Sequence, residues 1–155
     1  MENENPWYEE VAMPALLRHA RVTYGVAMRR ALEEAGYDDI PKNGLYVIGG
    51  LALDVPGLPL SELIEQLNVS KQAAGQLVDM LVLRGYLERT VDPQDRRKLT
   101  VSLTERGRAA AETQSAAREK IDAALIAKIG PENVRSTRQT LAALIELGHP
   151  EKKEA

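Results

Sequence analysis

The sequence predicts a mainly α-helical fold with one small β-hairpin, in the α+β class. Near the middle of the chain, two short helical patterns are joined by a tight turn, and two strand patterns separated by a charged loop follow them. The segments before and after this module repeat apolar residues at three- and four-residue steps, which is the periodicity of amphipathic helices. We therefore expect a helix-turn-helix followed by a β-hairpin wing, flanked by N- and C-terminal dimerisation helices.

The length and composition are those of one globular domain. The chain has 155 residues, of which 44% are hydrophobic and 28% charged, and a chain of this size can bury its own core. We expect a single domain over residues 1–155, with the winged module at 41–103 and the helical dimerisation region at 10–36 and 104–149. Because no apolar run approaches the ~20 residues of a membrane span, and because the acidic N-terminus lacks a signal-peptide pattern, we expect a cytoplasmic protein with no membrane partner.

The residue content argues against several kinds of chemistry. The chain has no cysteine, which excludes disulfides and thiolate nucleophiles. Its histidines, His19 and His149, lie far apart in sequence, and no set of residues has the spacing of a zinc site. Asp92 and Asp95 are paired carboxylates, but we expect them on an exposed loop tip rather than in a cleft. We therefore expect no enzyme activity, no catalytic residue, no metal and no cofactor.

The first half of the chain predicts two helices and a connector. Residues 13–35 carry an apolar stripe, and Gly36 follows as a C-terminal cap. A second helix is expected to begin within residues 39–41, where an aspartate can cap it and a proline can occupy its first turn, and to end near Leu53. Residues 54–59, which read DVPGLP, are predicted to form a connector.

The central helix pair is predicted from its caps and its turn. Ser61 is expected to cap a helix over residues 62–67, and Ser70 is expected to cap the next helix. Asn68 lies in the turn between them, where the backbone requires a residue that tolerates positive φ. This order is typical of a helix-turn-helix, whose second helix enters the major groove of DNA.

The second helix of the pair has one apolar face and one polar face. Ala73, Leu77 and Leu81 step by four residues and are expected to face the core. A DNA-reading helix contacts bases with polar residues at its start, on the face away from the core. An ordinary solvated surface helix shows the same pattern, so the helix alone leaves both interpretations open. The residues expected to contact DNA are Ser70, Lys71, Gln72 and Gln76.

The hairpin favours the DNA-binding interpretation. Strands are predicted at 87–91 and 98–103, and the six-residue loop between them is longer than the two residues that a plain hairpin prefers. The net charge of the chain is −3, yet residues 84–98 hold five basic and three acidic residues, and DNA binding requires a local positive footprint rather than a positive total. Arginine side chains can enter a narrow minor groove, whereas a solvated ion-pair cluster would contribute little. The loop residues expected to contact DNA, or to orient such a contact, are Asp95, Arg96 and Arg97.

Two helices are predicted after the hairpin, from Thr104 to Ile129 and from Pro131 to about Leu147. Their apolar residues are more numerous than one small module can cover, and an exposed stripe of that size marks an interface. We therefore expect a C2 homodimer. The residues of this stripe are Ile121, Ala124, Leu125, Ile129, Val134, Leu141, Leu144, Ile145 and Leu147.

Residues 69–108 resemble the MarR-type winged helix-turn-helix transcriptional regulators. The matching pieces are the serine-capped helix, the L-x-x-x-G-Y-L-x-R segment at 81–89, the D-x-x-D-R-R loop, and L-T-x-x-G at 103–107. The resemblance implies a homodimer that binds pseudo-palindromic double-stranded DNA and regulates transcription, with repression as the favoured role. By position, it implies DNA contacts from the helix that begins after Ser70 and from the loop arginines.

The resemblance also implies features that the residues leave open. Regulators of this type often respond to a small-molecule effector, whose pocket would lie between the pairing helices and the DNA module. The polar or amphipathic residues that could line it are Arg18, His19, Arg21 and Tyr46, and for each of them surface exposure or core packing is the favoured interpretation. Gln76, Met80 and Gln94 stand where the family often has basic residues, so lower non-specific affinity is expected. A winged-helix module that binds a protein without specific DNA binding is the alternative.

Overall fold

The computed structural model describes residues 5–53, 58–59, 65 and 68–148, and within them it has the expected mainly helical fold with an antiparallel hairpin. A short 3-10 helix at Trp7–Glu9 comes first. The α-helices and strands are α1 Met13–Glu34, α2 Gly44–Leu53, β1 Leu58–Pro59, α3 Lys71–Leu83, β2 Leu87–Val91, β3 Leu99–Leu103, α4 Glu105–Ile129 and α5 Pro131–Gly148. The helix predicted at 62–67 lies outside the described residues except for Glu65, and so do its cap Ser61 and the C-terminal His149.

Helix α1 begins and ends as its sequence predicts. A proline lies in its first turn, where the missing N–H has no helical partner to lose. At the other end Gly36 has φ +89°, and the Tyr37 amide donates to the Leu32 carbonyl at 2.8 Å. This is the glycine-dependent C-cap in which the amide after the glycine reaches back across the last turn.

Helix α2 begins at Gly44, later than the predicted start within residues 39–41. Asn43 has φ +69°, which is incompatible with a helix that runs through it. The Gly44 amide donates instead to the Pro41 carbonyl at 2.8 Å, which closes a turn. The Asp39 carboxylate is not a cap, because it is bonded to Tyr86 and Arg106. The predicted end at Leu53 is confirmed.

The sheet contains one strand that the sequence did not indicate. Its order is β1-β3-β2, and both pairings are antiparallel. Residues 58–59, predicted as part of a connector, form β1 by pairing with Val101 and Thr100. The proline in β1 is tolerated because β1 lies at an edge of the sheet, where its missing amide breaks no ladder. The hairpin itself has the register Leu87↔Leu103 at its base.

Helix α3 has the predicted cap, but its buried face is rotated from the predicted one. The Ser70 hydroxyl accepts a hydrogen bond from the Ala73 amide at 3.1 Å, and Asn68 in the turn has φ +49°. The buried residues are Ala74, Val78 and Leu81, whereas Ala73 is exposed and Leu77 is half-buried. Steps of four and three follow the 3.6-residue helical repeat, while a strict step of four drifts off one face.

The chain forms two compact units, Met1–Arg118 and Glu119–Ala155, and the boundary falls within α4. The first unit holds the core, where helices pack on one face of the sheet. Its largest fully buried side chains are Tyr86, Leu32, Ile48, Leu81, Leu87, Val47, Val78 and Val101. The expectation of one domain with a winged module at 41–103 stays a prediction.

The second unit exposes much of its apolar surface. Helix α5 has no buried residue, and its Leu147 side chain is 81% exposed. The other large apolar residues exposed in this unit are Ile126, Ile129, Leu144 and Ile145. Among the described residues, no helix is long and apolar enough to cross a membrane.

Candidate nucleic-acid interface

The start of α3 presents a polar face to solvent. All four residues expected to contact DNA there, Ser70, Lys71, Gln72 and Gln76, are exposed. The Ser70 hydroxyl accepts from a backbone amide as the cap, and its own hydrogen remains able to donate to a phosphate oxygen. One turn further, the Asp79 carboxylate pairs with Arg89 on β2, which offsets a negative charge that would otherwise repel DNA.

The loop between β2 and β3 is organised by its two aspartates. The Asp92 carboxylate accepts from the Gln94 amide at 2.8 Å, and the Asp95 carboxylate accepts from the Arg97 amide at 3.1 Å. Such turns fix a loop through side chain to backbone bonds. The carboxylate pair of this loop therefore shapes its backbone, and Asp95 contributes by orienting its neighbours.

The arginines of this loop point to solvent. Arg96 is exposed, and it is in none of the ion pairs found among the described residues. The Arg97 side chain is 95% exposed and its Nε lies 3.6 Å from the Asp95 carboxylate. An ion pair that exposed is weak, so both cations are available to an anionic partner.

The loop end of the hairpin is held by a pair of threonines. The Oγ1 atoms of Thr90 and Thr100 lie 2.8 Å apart and are hydrogen-bonded, and Thr100 is buried. Cross-strand threonine pairs stabilise a two-stranded ladder. The loop arginines are therefore presented from a well-anchored hairpin.

A polar cluster that the sequence did not indicate lies at the far end of α3. The Tyr86 hydroxyl donates to the Asp39 carboxylate, and the Arg106 Nη2 lies 3.1 and 3.3 Å from the two Asp39 oxygens and 2.9 Å from the Tyr86 hydroxyl. Arg106 also stacks over the Tyr86 ring, with Cζ 4.6 Å from its centroid. These residues are 47 and 67 positions from Asp39, so no local pattern could have grouped them.

The cluster shifts the titration of its members. The hydrogen bond from Tyr86, helped by the positive charge of Arg106, holds the pKa of the Asp39 carboxyl below its ordinary value against the effect of burial. Burial, followed by the bond to Asp39, raises the pKa of the Tyr86 hydroxyl. Asp39 is therefore ionised and Tyr86 neutral across the physiological range.

The end of α3 is joined tightly to the start of α4. The Thr104 hydroxyl donates to the Gly85 carbonyl at 2.5 Å, and the Thr104 amide donates to the Tyr86 carbonyl at 3.1 Å. A Cβ on Gly107 would lie 2.1 Å from the Tyr86 carbonyl oxygen, so glycine is required there. Arg84 also donates to the Asp39 carbonyl. The orientation of α3 is thus fixed by α4 and by the loop before α2.

A cavity of about 190 Å³ lies within the first unit, between α1, α2 and α4. Of the four predicted effector-pocket residues, Tyr46 lines it. Arg21 does not line it but stacks on the Tyr46 ring, with its Cζ 4.2 Å from the ring centroid. Arg18 and His19 are on α1 and do not line the cavity, and His19 is exposed. The full lining is Met28, Leu45, Tyr46, Gly49, Gly50, Ala52, Ala111, Gln114, Ser115 and Arg118.

Gln114 is a buried polar residue of this cavity that the sequence did not indicate. It is 5% exposed, and its Nε2 donates to the Leu45 carbonyl at 2.9 Å, which ties α4 to α2. Its Oε1 accepts no hydrogen bond from the described residues. Among all the residues that the structure describes, no group of three or more His, Asp or Glu side chains could hold a metal ion.

An exposed, serine-capped helix that leads directly into an arginine-tipped β-hairpin defines a winged-helix protein. The sequence profile of the MarR family matches residues 46–98. The HTH-type transcriptional regulator PetP of Rhodobacter capsulatus is 32% identical over 91 residues, which are 59% of this chain and 55% of PetP. Over these residues the chain is similar to MarR-family regulators, and its match spans about half the length of this curated relative.

Several solved structures have a fold similar to that of this chain. Staphylococcus aureus MepR in complex with DNA has a TM-score of 0.71 at 20% identity, covering 88% of this chain and 98% of MepR. Escherichia coli MarR has a TM-score of 0.66 at 21% identity, covering 86% and 97%. RV1404 from Mycobacterium tuberculosis has a TM-score of 0.67 at 25% identity, covering 90% and 94%.

Proposed function

We propose that this protein is a sequence-specific DNA-binding transcriptional regulator, with repression as its favoured role. It acts in the cytoplasm as a homodimer on a pseudo-palindromic operator, and it is not an enzyme. The observation that carries the proposal is the exposed polar start of α3 beside a hairpin loop with two exposed arginines. The fold is shared with MepR, whose complex with DNA has been solved.

The two parts of this surface suit two different tasks. Gln72 and Gln76 lie four residues apart on α3, so they stand side by side and can present amides to base edges in the major groove. Lys71 and the free amides of the first turn suit phosphate oxygens. The loop arginines suit the backbone and the minor groove.

A dimer explains the apolar surface of the terminal helices. Ile145 is 62% exposed in the single chain and Leu147 on the same helix is 81% exposed, and exposure of several large apolar side chains on one helix marks an interaction surface. A second copy related by a two-fold axis would cover the surface and double the DNA contacts. Half-sites would then lie about 10 base pairs apart.

A small-molecule effector would bind in the cavity between α1, α2 and α4. Among the residues predicted to form an effector pocket, Tyr46 lines this cavity and Arg21 is held against its ring. An effector there would change DNA affinity only if it binds the DNA-bound and free states with different strength.

The test is fluorescence anisotropy with DNA from upstream of the protein's own gene and a scrambled duplex of equal length. Tight binding to the upstream DNA, with an affinity that falls as salt rises, would support the proposal. Sedimentation velocity at micromolar concentration should show a dimer. Equal, weak binding to both duplexes, together with capture of a protein partner, would favour the alternative of a protein-binding module.

A further inference from the structure

We propose that α3 selects adenine–thymine base pairs, with Gln72 and Gln76 bonding adenine and Ala73 contacting the methyl group of thymine. The inference rests on the proposed function in regarding α3 as the helix that enters the major groove. It adds the base pairs that this helix selects, and it adds Ala73 as a residue that determines the selection.

Gln72, Ala73 and Gln76 form the outer face of α3 at its start. Successive residues of an α-helix are about 100° apart around the axis, so Gln76 lies about 40° and Ala73 about 100° from Gln72, on one side of the helix. All three residues are exposed, whereas Ala74 and Val78 on the opposite side are buried. The Ala73 amide donates to the capping serine hydroxyl at 3.1 Å, which fixes the first turn and therefore the position of this face.

Ala73 places an apolar methyl group on this otherwise polar face. Its side chain is exposed, and Gln76, three residues further along the helix, is its neighbour on the surface. In the major groove thymine presents a methyl group, and alanine is one of the side chains that contact it. Ala73 therefore suits a thymine methyl that lies beside a base bonded by Gln76.

The spacing of the two glutamines matches the spacing of bases. Gln72 and Gln76 are four residues apart, which is about 6 Å along the helix axis, and successive base pairs are about 3.4 Å apart. The two carboxamides can therefore reach two different base pairs. A glutamine carboxamide can accept from N6 and donate to N7 of adenine at the same time, so each of the two pairs is expected to be an adenine–thymine pair.

The outer face of α3 lacks the charged side chains that read guanine and cytosine. Guanine is bonded in a bidentate way by arginine or lysine, and α3 has neither after Lys71, its first residue. Lys71 lies about 160° around the axis from Ala73, away from this face. A carboxylate can accept a bond from cytosine, but the Asp79 carboxylate is paired with Arg89. The side chains of α3 therefore favour adenine–thymine over guanine–cytosine pairs.

The experiment selects binding sites from random DNA duplexes with the full chain and then places base analogues in the selected site. Deoxyuridine in place of thymidine removes only the methyl group, and 7-deazaadenine in place of adenine removes only the N7 acceptor. Fluorescence anisotropy should show that deoxyuridine at the contacted thymine of both half-sites weakens binding about fifteenfold, because the contact of about one buried methyl group is lost in each. Replacement of the contacted adenines by 7-deazaadenine should also weaken binding.

Variants connect each effect to its residue. Ala73→Gly should bind the thymidine and deoxyuridine sites equally, and because the two sites are compared within one variant, a general weakening of the helix cancels. Ala116→Gly, a matched change at an exposed alanine on α4, should keep the parental ratio. Gln76→Arg should change the selected base from adenine to guanine at one position of each half-site.

The outcomes separate this inference from the proposed function. A chain that enriches no sequence from the random duplexes contradicts the proposed function, and the inference fails with it. A chain that enriches a specific site contradicts the inference alone if guanine–cytosine pairs predominate at the contacted positions, or if no thymine of the site is sensitive to deoxyuridine. A parental ratio of affinities that persists in Ala73→Gly would equally overturn the role of Ala73.

Discussion

Removal of the two arginines at the tip of the hairpin loop should weaken binding to every DNA sequence. Both side chains are exposed, and Arg97 has the Asp95 carboxylate 3.6 Å away as a weak partner, while no ion pair of the described residues includes Arg96. Neither arginine contributes to the buried core. Arg96→Ala and Arg97→Ala should therefore change DNA binding without changing the folded structure.

The magnitude follows from the number of phosphates that the arginines of the dimer neutralise. Each neutralised phosphate adds about 0.9 to the slope of the logarithm of the binding constant against the logarithm of salt concentration. Because each substitution occurs in both subunits, Arg96→Ala should flatten the slope by about 1.8 and the double substitution by up to about 3.6. Arg97→Ala should have the smaller single effect, since the Asp95 carboxylate already offsets part of its charge.

The assay is an anisotropy titration on operator and scrambled DNA at several salt concentrations. Arg135→Ala serves as the matched control, because Arg135 is an exposed arginine on α5 that pairs with Glu132 at 3.8 Å, and sedimentation should verify that this variant remains dimeric. If the double variant keeps the parental slope on both duplexes, the loop does not touch DNA. The assignment of α3 and the loop as one DNA-binding surface would then fail.

Three further outcomes are expected. Gln72→Ala should reduce the binding free energy on operator DNA by about 1–3 kcal/mol for each bidentate contact with a base that it removes, and it should leave binding to scrambled DNA unchanged. Equal weakening on both duplexes would instead assign Gln72 to contact with the phosphate backbone. Because the pKa of Asp39 is held low in the folded state, its ionised form adds stability that is present above the unfolded pKa of about 4 and is lost as pH falls through the folded pKa. Urea midpoints of Asp39→Asn and the parent should therefore differ at pH 6 and converge toward pH 3, whereas a constant difference would contradict this linkage. Gly50→Ala should raise the free energy of unfolding by about 0.5–1 kcal/mol, because alanine favours the helix more than glycine does. Gly49→Ala should lower the free energy of unfolding, because its Cβ would displace the Gln114 carboxamide. Urea titrations that rank the two variants in the opposite order would refute this geometry.

Features that depend on local sequence were predictable. Caps follow from single residues, so the Ser70 cap of α3, the Gly36 end of α1 and the positive φ of Asn68 were all expected and are found. The order of α3, the β2–β3 hairpin and α4 was also predictable, because each element has its own hydrophobic periodicity in the sequence. The family resemblance rested on the same continuous stretch of chain.

Features that depend on distant contacts were not predictable. The start of α2 was placed too early because Asp39 looks like a helix cap in sequence, whereas in the fold its carboxylate is bonded to Tyr86 and Arg106. The strand β1 forms by antiparallel pairing with β3, and its own sequence has no alternation that predicts a strand. Gln114 appeared to be one polar residue among many on a long helix, and its importance comes from the Leu45 carbonyl, 69 positions away.

The contacts that hold the first unit together also connect its cavity to the end of α3. Gln114 ties α4 to α2, and seven residues earlier on the same helix Gly107 packs against the Tyr86 carbonyl with no room for a side chain. An α-helix rises about 1.5 Å per residue, so these contacts lie roughly 10 Å apart on one rigid segment. Close-packed interiors leave little free volume to absorb a displacement. A ligand that repositions the Gln114 carboxamide would therefore act on the same helix that fixes the end of α3. A change in the angle of α4 would then reorient the face of α3 on which Gln72 and Gln76 are proposed to contact DNA.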